Sequence, residues 1–291
     1  MALDPRALEE KARKTLQSAS GWSFFSNKED KYQTAADLYT QAANAYRLEN
    51  RNQEAGEAFI AAANIYREKL NEPDDAANLM VDAFKVLRKD NPQKALDCID
   101  QAIMRYTSKG NFRRAASHKE NAGEMLEQDL NDRVRAMQYY RDAALWYEQD
   151  GAKALANKLW LKVADIAALE GQYFDAANRF EKVAQSSLEN HLMKYSVKEY
   201  FLKAGLCVLA TKDLVTARRS LEDYKAKDPS FASQRECQLL EDLIEAIGQG
   251  NQEMFTDKLY AYDQLSRLDK WKMEILLRIK NQIEEADNEF S

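Results

Sequence analysis

The side chains that most often do chemistry are thinly spread in this chain. His118 and His191 stand alone, with no HExxH pair and no partner cysteine or carboxylate at metal-ligand spacing. Cys98, Cys207 and Cys237 are far apart and odd in number, so they form neither a CxxC site nor a disulfide framework; each reads as a small apolar core residue of a reducing compartment. No GxxxxGK[ST] or GxGxxG loop is present to cradle a phosphate. Asp and Glu are abundant but fall in helical charge patterns that read as solvated faces, and no nucleophile is paired with a base. The chemistry on offer is contact chemistry. Three large aromatics, Trp22, Phe24 and Phe25, stand between Gly and Ser residues in GWSFFS, outside any helical period. They either staple the first helix onto the second or insert into a bilayer or partner. Fully burying each is worth about 1.5–3 kcal/mol, enough together for a weak tether but not a permanent anchor.

The elements that hold these residues repeat. YQTAADLYTQAANAYR, beginning at Tyr32, spaces alanines and tyrosines three and four apart, which lines one face of a helix. Residues 58–66, 76–87, 136–147 and 176–184 echo it. Small residues let neighbouring helices approach closely, and rings fill the gaps. Turn-forming sequence recurs at 50–52, 71–73, 90–92, 109–111, 131–132, 149–151 and 170–171. The interval is about one helix per 20 residues and one hairpin per 40, which predicts an all-α, right-handed, tetratricopeptide-like solenoid, a twisted sheet of helical hairpins.

Asp4-Pro5 predicts an N-cap and first helical residue, with a helix to about Gln17. Residues 18–31 are the least helical stretch of the N-terminal half. Seven or so repeat helices are expected to about Glu170 and further pairs to about Leu209. Later turns fall at 212–213, 227–229 and 248–250, and terminal helices are expected over 235–247, 252–268 and 270–286, followed by an acidic tail, 284–291. The expected division is therefore a solenoid over 1–210, including an apolar loop, and a compact helical bundle over 211–291. Only 9 Gly and 4 Pro interrupt the 291 residues, which favours helix nearly throughout. With 45% hydrophobic residues the chain can bury a core, and a net charge of −6 argues against a general nucleic-acid binder. No run of 18 apolar residues and no signal or transit peptide is legible, so a soluble cytosolic protein is expected. With no heptad seam left over, the free protein is expected to be monomeric, to need no cofactor or metal, and to be an adaptor rather than an enzyme.

The GWSFF loop, YFLKAGLCVLA over 200–210, DPSFASQREC over 228–237 and SRLDKW over 266–271 resemble the soluble NSF attachment proteins, in the alpha branch and of fungal type. The likeness covers essentially the whole chain. It implies a cytosolic adaptor, peripherally associated with vesicle and organelle membranes, that coats the four-helix SNARE bundle left after fusion. The adaptor then recruits and stimulates the hexameric AAA ATPase, N-ethylmaleimide-sensitive factor, which pulls the bundle apart.

The resemblance also implies sites. ANKLWLKVADIAAL matches a family motif that puts Lys158 and Lys162 on the SNARE-facing side, and their i, i+4 spacing places both on one helix face. Lys109, Arg113, Arg114 and Lys119 form a second basic cluster near the same surface, although the lysine of animal members aligns with Ser117. Asp213 and Glu245 match acidic positions presented to the ATPase, and Leu268, Asp269 and Lys270 open the last helix at that end. The family ends in an acidic stretch with a leucine near the terminus, a place taken here by Phe290. The family's apolar N-terminal loop touches membrane, which assigns Trp22, Phe24 and Phe25 that role. Two rival readings predict different chemistry: a generic tetratricopeptide-like scaffold clamping a peptide tail, and a helical enzyme with a closed pocket lined by Glu and Tyr.

Overall fold

The computed structural model describes residues 4–20, 28–190 and 193–289. Among them the regular secondary structure is α-helical, with two short 3-10 turns at Lys194–Ser196 and Pro229–Ser233. Contacts divide the chain into two compact units, Met1–Ala156 and Asn157–Ser291. The expected change of character at 210/211 falls inside the second unit.

The first unit contains α1 (Pro5–Ser20), α2 (Lys28–Leu48), α3 (Asn52–Glu68), α4 (Pro73–Leu87), α5 (Pro92–Ser108), α6 (Phe112–Gln128) and α7 (Arg133–Gln149). Each helix packs against the next in sequence. From α3 onward side chains also join helices two apart: Lys94 of α5 reaches Glu57 of α3, Arg114 of α6 donates to Asn78 of α4, and Tyr139 of α7 donates to Asp100 of α5 at 2.6 Å. Hairpins stacked side by side produce this i to i+2 linkage, the arrangement of a tetratricopeptide-type solenoid. The alanine pairs the sequence singles out form the seams: Ala35, Ala36, Ala42, Ala43, Ala62, Ala63, Ala143 and Ala144 have no accessible surface. Gly56 lets α3 approach α4 more closely still, since a Cβ there would overlap the Leu87 side chain.

The tyrosines between these seams sink their rings into the core and hand their hydroxyls to carboxylates at the rim. Tyr46 donates to Glu9 at 2.7 Å, Tyr140 to Glu127 at 2.6 Å and Tyr147 to Glu120 at 3.1 Å. Burial, reinforced by the Glu9 bond, pushes the Tyr46 phenol up to about 12. Between helices, Asn50, Asn71 and Asn131 take positive φ, as do Gly110, Gly151 and Gly171, the residue types that tolerate the left-handed region.

Helix α8 (Lys153–Leu169) begins in the first unit and continues into the second, where it is followed by α9 (Tyr173–Leu188), α10 (Val197–Ala210), α11 (Leu214–Lys227), α12 (Arg235–Gly248), α13 (Gln252–Leu265) and α14 (Lys270–Glu289). The core of this second unit is richer in large side chains. Phe201 of α10 stacks on Tyr224 of α11 with centroids 4.7 Å apart, and Phe231 meets Phe201 edge-on at 5.3 Å. Cys207 and Cys237 lie in this core and Cys98 in that of the first unit, all three as buried free thiols.

Three helix ends depart from the expected boundaries. The first helix continues to Ser20 and the last to Glu289, beyond the expected Gln17 and Ala286. By contrast α13 stops at Leu265, not at 268: Ser266 is extended, and the Asp263 carboxylate accepts the Leu268 N–H at 2.8 Å. A side chain thus takes over a backbone bond that helix continuation would have made.

Candidate partner-binding surfaces

The basic cluster of the first unit rests on the end of α5 and the first half of α6. Lys109 and Arg105 close on one carboxylate, Asp74, at 2.8 and 2.7 Å, and those bonds hold its pKa down to about 2. Arg113 pairs with Asp150 at 3.2 Å. Arg114 donates to Asn78 at 2.7 Å while its guanidinium lies 4.2 Å from the Tyr106 ring centroid. Lys119 is the least accessible, with 13% of its side chain exposed. Its ammonium sits 3.6 Å from the Tyr139 ring, between Asp100 at 3.3 Å and Asp142 at 4.0 Å. Lys119 therefore ties α5, α6 and α7 together, whereas Lys109 and Arg113 keep half or more of their side-chain surface in solvent.

His118 lies within this cluster, stacked on Tyr106 with centroids 5.5 Å apart. Burial lowers its pKa to about 4, with help from the positive charges of Arg114 and Lys85. It is a half-buried histidine, neutral at pH 7.

On α8 the buried stripe is Ala156, Leu159, Val163, Ala164, Ile166 and Ala167. Lys158 is exposed and Lys162 half-buried beside it. Asp165 continues their row at i+7 and i+3, one face of one helix. Its carboxylate accepts from Lys203 of α10 at 2.7 Å; burial pushes its pKa up and the ammonium pulls the other way.

At the C-terminal side, Asp213 is the N-cap of α11. It accepts the Thr216 N–H at 2.9 Å and the Thr216 hydroxyl at 2.6 Å, bonds that lower its pKa. Glu245 is exposed on α12 and accepts from Gln249 at 3.1 Å. Asp269 caps α14 through the Lys272 N–H at 2.8 Å, Leu268 is half-buried and Lys270 is exposed. Trp271 packs: its ring meets Phe180 edge-on at 5.7 Å and its indole N–H donates to the Asp165 carbonyl at 2.9 Å. Trp22, Phe24, Phe25 and Phe290 lie outside the described residues. Among the described residues no group of three or more His, Cys, Asp or Glu could hold a metal ion, and no helix is long and apolar enough to cross a membrane.

The family model for soluble NSF attachment proteins matches residues 3–284. The chain belongs to that family. It is 64% identical to a probable vesicular-fusion protein sec17 homolog of Neurospora crassa, over 100% of both chains. It is 40% identical to the alpha-soluble NSF attachment protein of Saccharomyces cerevisiae, covering 98% of this chain and 99% of that one. To the human alpha-soluble NSF attachment protein the identity is 36%, over 95% and 93% of the two chains. The chain is thus a soluble NSF attachment protein of the alpha, fungal type, as GWSFF, YFLKAGLCVLA and SRLDKW imply.

What sequence reading missed in this attachment protein is the polar knot around Asp165, Lys203, Trp271 and Lys272. Trp271 follows Asp165 by 106 residues, and no periodicity links the two positions.

Proposed function

We propose that this protein is the adaptor of SNARE disassembly: it binds assembled four-helix SNARE complexes and recruits and stimulates the hexameric AAA ATPase that separates them. The observation that carries the proposal is family membership over essentially the whole chain, with end-to-end similarity to vesicular-fusion and NSF attachment proteins. On this reading the adaptor hydrolyses nothing itself and works in the cytoplasm at vesicle and organelle surfaces. Residues 1–210 form the SNARE-facing part and 211–291 the ATPase-facing part.

Lys158 and Lys162 are the main SNARE contacts, with Lys109, Arg113, Arg114 and Lys119 as a second group. Because Lys119 is held by two aspartates, its contribution there is to shape the surface and set its charge. Asp213, Glu245, Leu268, Asp269, Lys270 and Phe290 face the ATPase, and Trp22, Phe24 and Phe25 touch the bilayer. Each contact is weak. Several adaptors around one bundle, each also tethered to the membrane, make the attachment multivalent.

The test is capture of the full-length protein on a preassembled SNARE complex beside the separate SNARE monomers, with the ATPase added in non-hydrolysable nucleotide. Capture should require the assembled bundle and bring the ATPase along. Lys158→Glu combined with Lys162→Glu should abolish it while leaving the helical circular-dichroism spectrum intact. Unchanged affinity in that variant would remove the lysines from the site, and equal capture on monomers would remove the proposal.

A further inference from the structure

Helix α14 is held to its neighbours in the second unit by an apolar stripe, Ile275, Leu276, Ile279 and Ile283, and by a set of polar bonds that such a stripe does not need. At its first turn the Trp271 indole donates to the Asp165 carbonyl of α8 at 2.9 Å. Lys203 of α10 lies 4.6 Å from the same ring while its ammonium is 2.7 Å from the Asp165 carboxylate. Lys272, with 8% of its side chain exposed, bridges Glu199 of α10 at 2.5 Å and Asp269 at 2.8 Å. Farther along, Arg278 reaches the Ala168 carbonyl of α8 at 3.4 Å, and Gln282 the Ala210 carbonyl of α10 at 3.2 Å. Helices packed only through apolar side chains can slide past one another by small shear steps. Hydrogen bonds are directional, and parting Lys203 and Lys272 from their carboxylates would leave two largely enclosed ammonium groups without partners, so such bonds fix register along the axis.

The placement of the knot gives it a use. Asp165 occupies the same face of α8 as Lys158 and Lys162, while the other half of the knot is the first turn of the helix that opens with Leu268, Asp269 and Lys270. We infer that Asp165, Lys203, Trp271 and Lys272 are positioning residues forming a tie, through which a pull applied at the C-terminal helices reaches the lysine-bearing face of α8 without slippage. The inference rests on the adaptor reading above and adds to it: binding and force transmission are carried by different residues. Trp271 and Lys203 need touch neither partner.

The experiment uses full-length protein, a fluorescent SNARE complex and the ATPase with hydrolysable nucleotide, comparing Trp271→Phe and Lys203→Met with wild type. At saturating adaptor the maximal disassembly rate should fall about fivefold. SNARE capture and the half-saturating adaptor concentration should stay within about twofold of wild type. Lys203→Arg, which keeps the ion pair, should restore the rate. Phe255→Leu, in the α13 core and away from the knot, supplies a variant of lowered melting temperature that should keep the full maximal rate. An unchanged maximal rate in both knot variants would overturn the tie. So would a loss seen only as a higher half-saturating concentration, or one matched by Phe255→Leu. Failure of wild-type protein to capture the assembled bundle would instead overturn the adaptor reading, and the tie with it.

Discussion

His118 shows how a residue with catalytic potential becomes part of the scaffold. Its imidazole is stacked on Tyr106, and burial together with Arg114 and Lys85 brings its pKa from 6.5 to about 4. Between those values the unfolded chain takes up a proton that the folded protein refuses. Stability that is fully present above about pH 6.5 is therefore lost as the pH falls toward 4. The drop in urea midpoint between pH 7 and pH 4.5 should shrink in His118→Phe, which keeps the stack and cannot titrate. An equal drop in both proteins would place the acid sensitivity elsewhere. At this scale the sequence was readable where a residue type has one dominant habit. The three lone cysteines went into the core as their type suggests. Lys119 was not readable in that way: a lysine among charges looks solvated, and only the fold brings Asp100, Asp142 and the Tyr139 ring around it.

At the scale of elements, the N-cap of α11 separates two roles that one carboxylate combines. Asp213→Asn keeps a side-chain oxygen for the Thr216 N–H but removes the charge; Asp213→Ala removes both. The asparagine variant should melt like wild type yet capture less ATPase. The alanine variant should in addition lower the melting midpoint by about 2–4 °C. Equal ATPase capture by wild type and Asp213→Asn would leave Asp213 with the cap alone. The helices themselves were legible because alanines and tyrosines repeat at helical spacing, and their ends because Asn and Gly mark the left-handed turns. The end of α13 was not, because Leu265 is followed by ordinary helix-compatible residues and the stop is made by Asp263 reaching forward to Leu268. The knot that fixes α14 was illegible for a further reason. Periodicity reports which face of a helix is buried, but not which distant carbonyl an indole will find.

The whole molecule carries a net charge of −6, so the electrostatic attraction that the adaptor reading assigns to Lys158 and Lys162 cannot come from its overall field. It must come from local cations acting at short range. Raising the salt from 50 to 300 mM should therefore weaken capture on a SNARE bundle in solution several-fold. Capture on a SNARE bundle in liposomes should lose less, because burial of aromatic side chains in a bilayer does not depend on screening. A loop variant, Trp22→Ser with Phe24→Ser and Phe25→Ser, should abolish that difference between the two formats. Equal salt dependence of the wild-type protein in both formats would show that the loop supplies no tether. The family and its repeat architecture were legible at this scale because they rest on many residues at once. The division of contacts at Ala156 and Asn157 was not, since no break in composition marks it.

The three thiols have a consequence for reagent chemistry. Burial pushes Cys98 up to about 11 and raises Cys207 and Cys237 as well, and none reaches solvent. Maleimides attack the thiolate, and a thiol near pKa 11 is ionised in only about one molecule in ten thousand at pH 7. The folded chain is therefore a poor target for alkylation. In a reconstituted reaction, adaptor treated with N-ethylmaleimide, quenched and added back should therefore support the same disassembly rate as untreated adaptor, and a loss of rate would show that one of these thiols is reached.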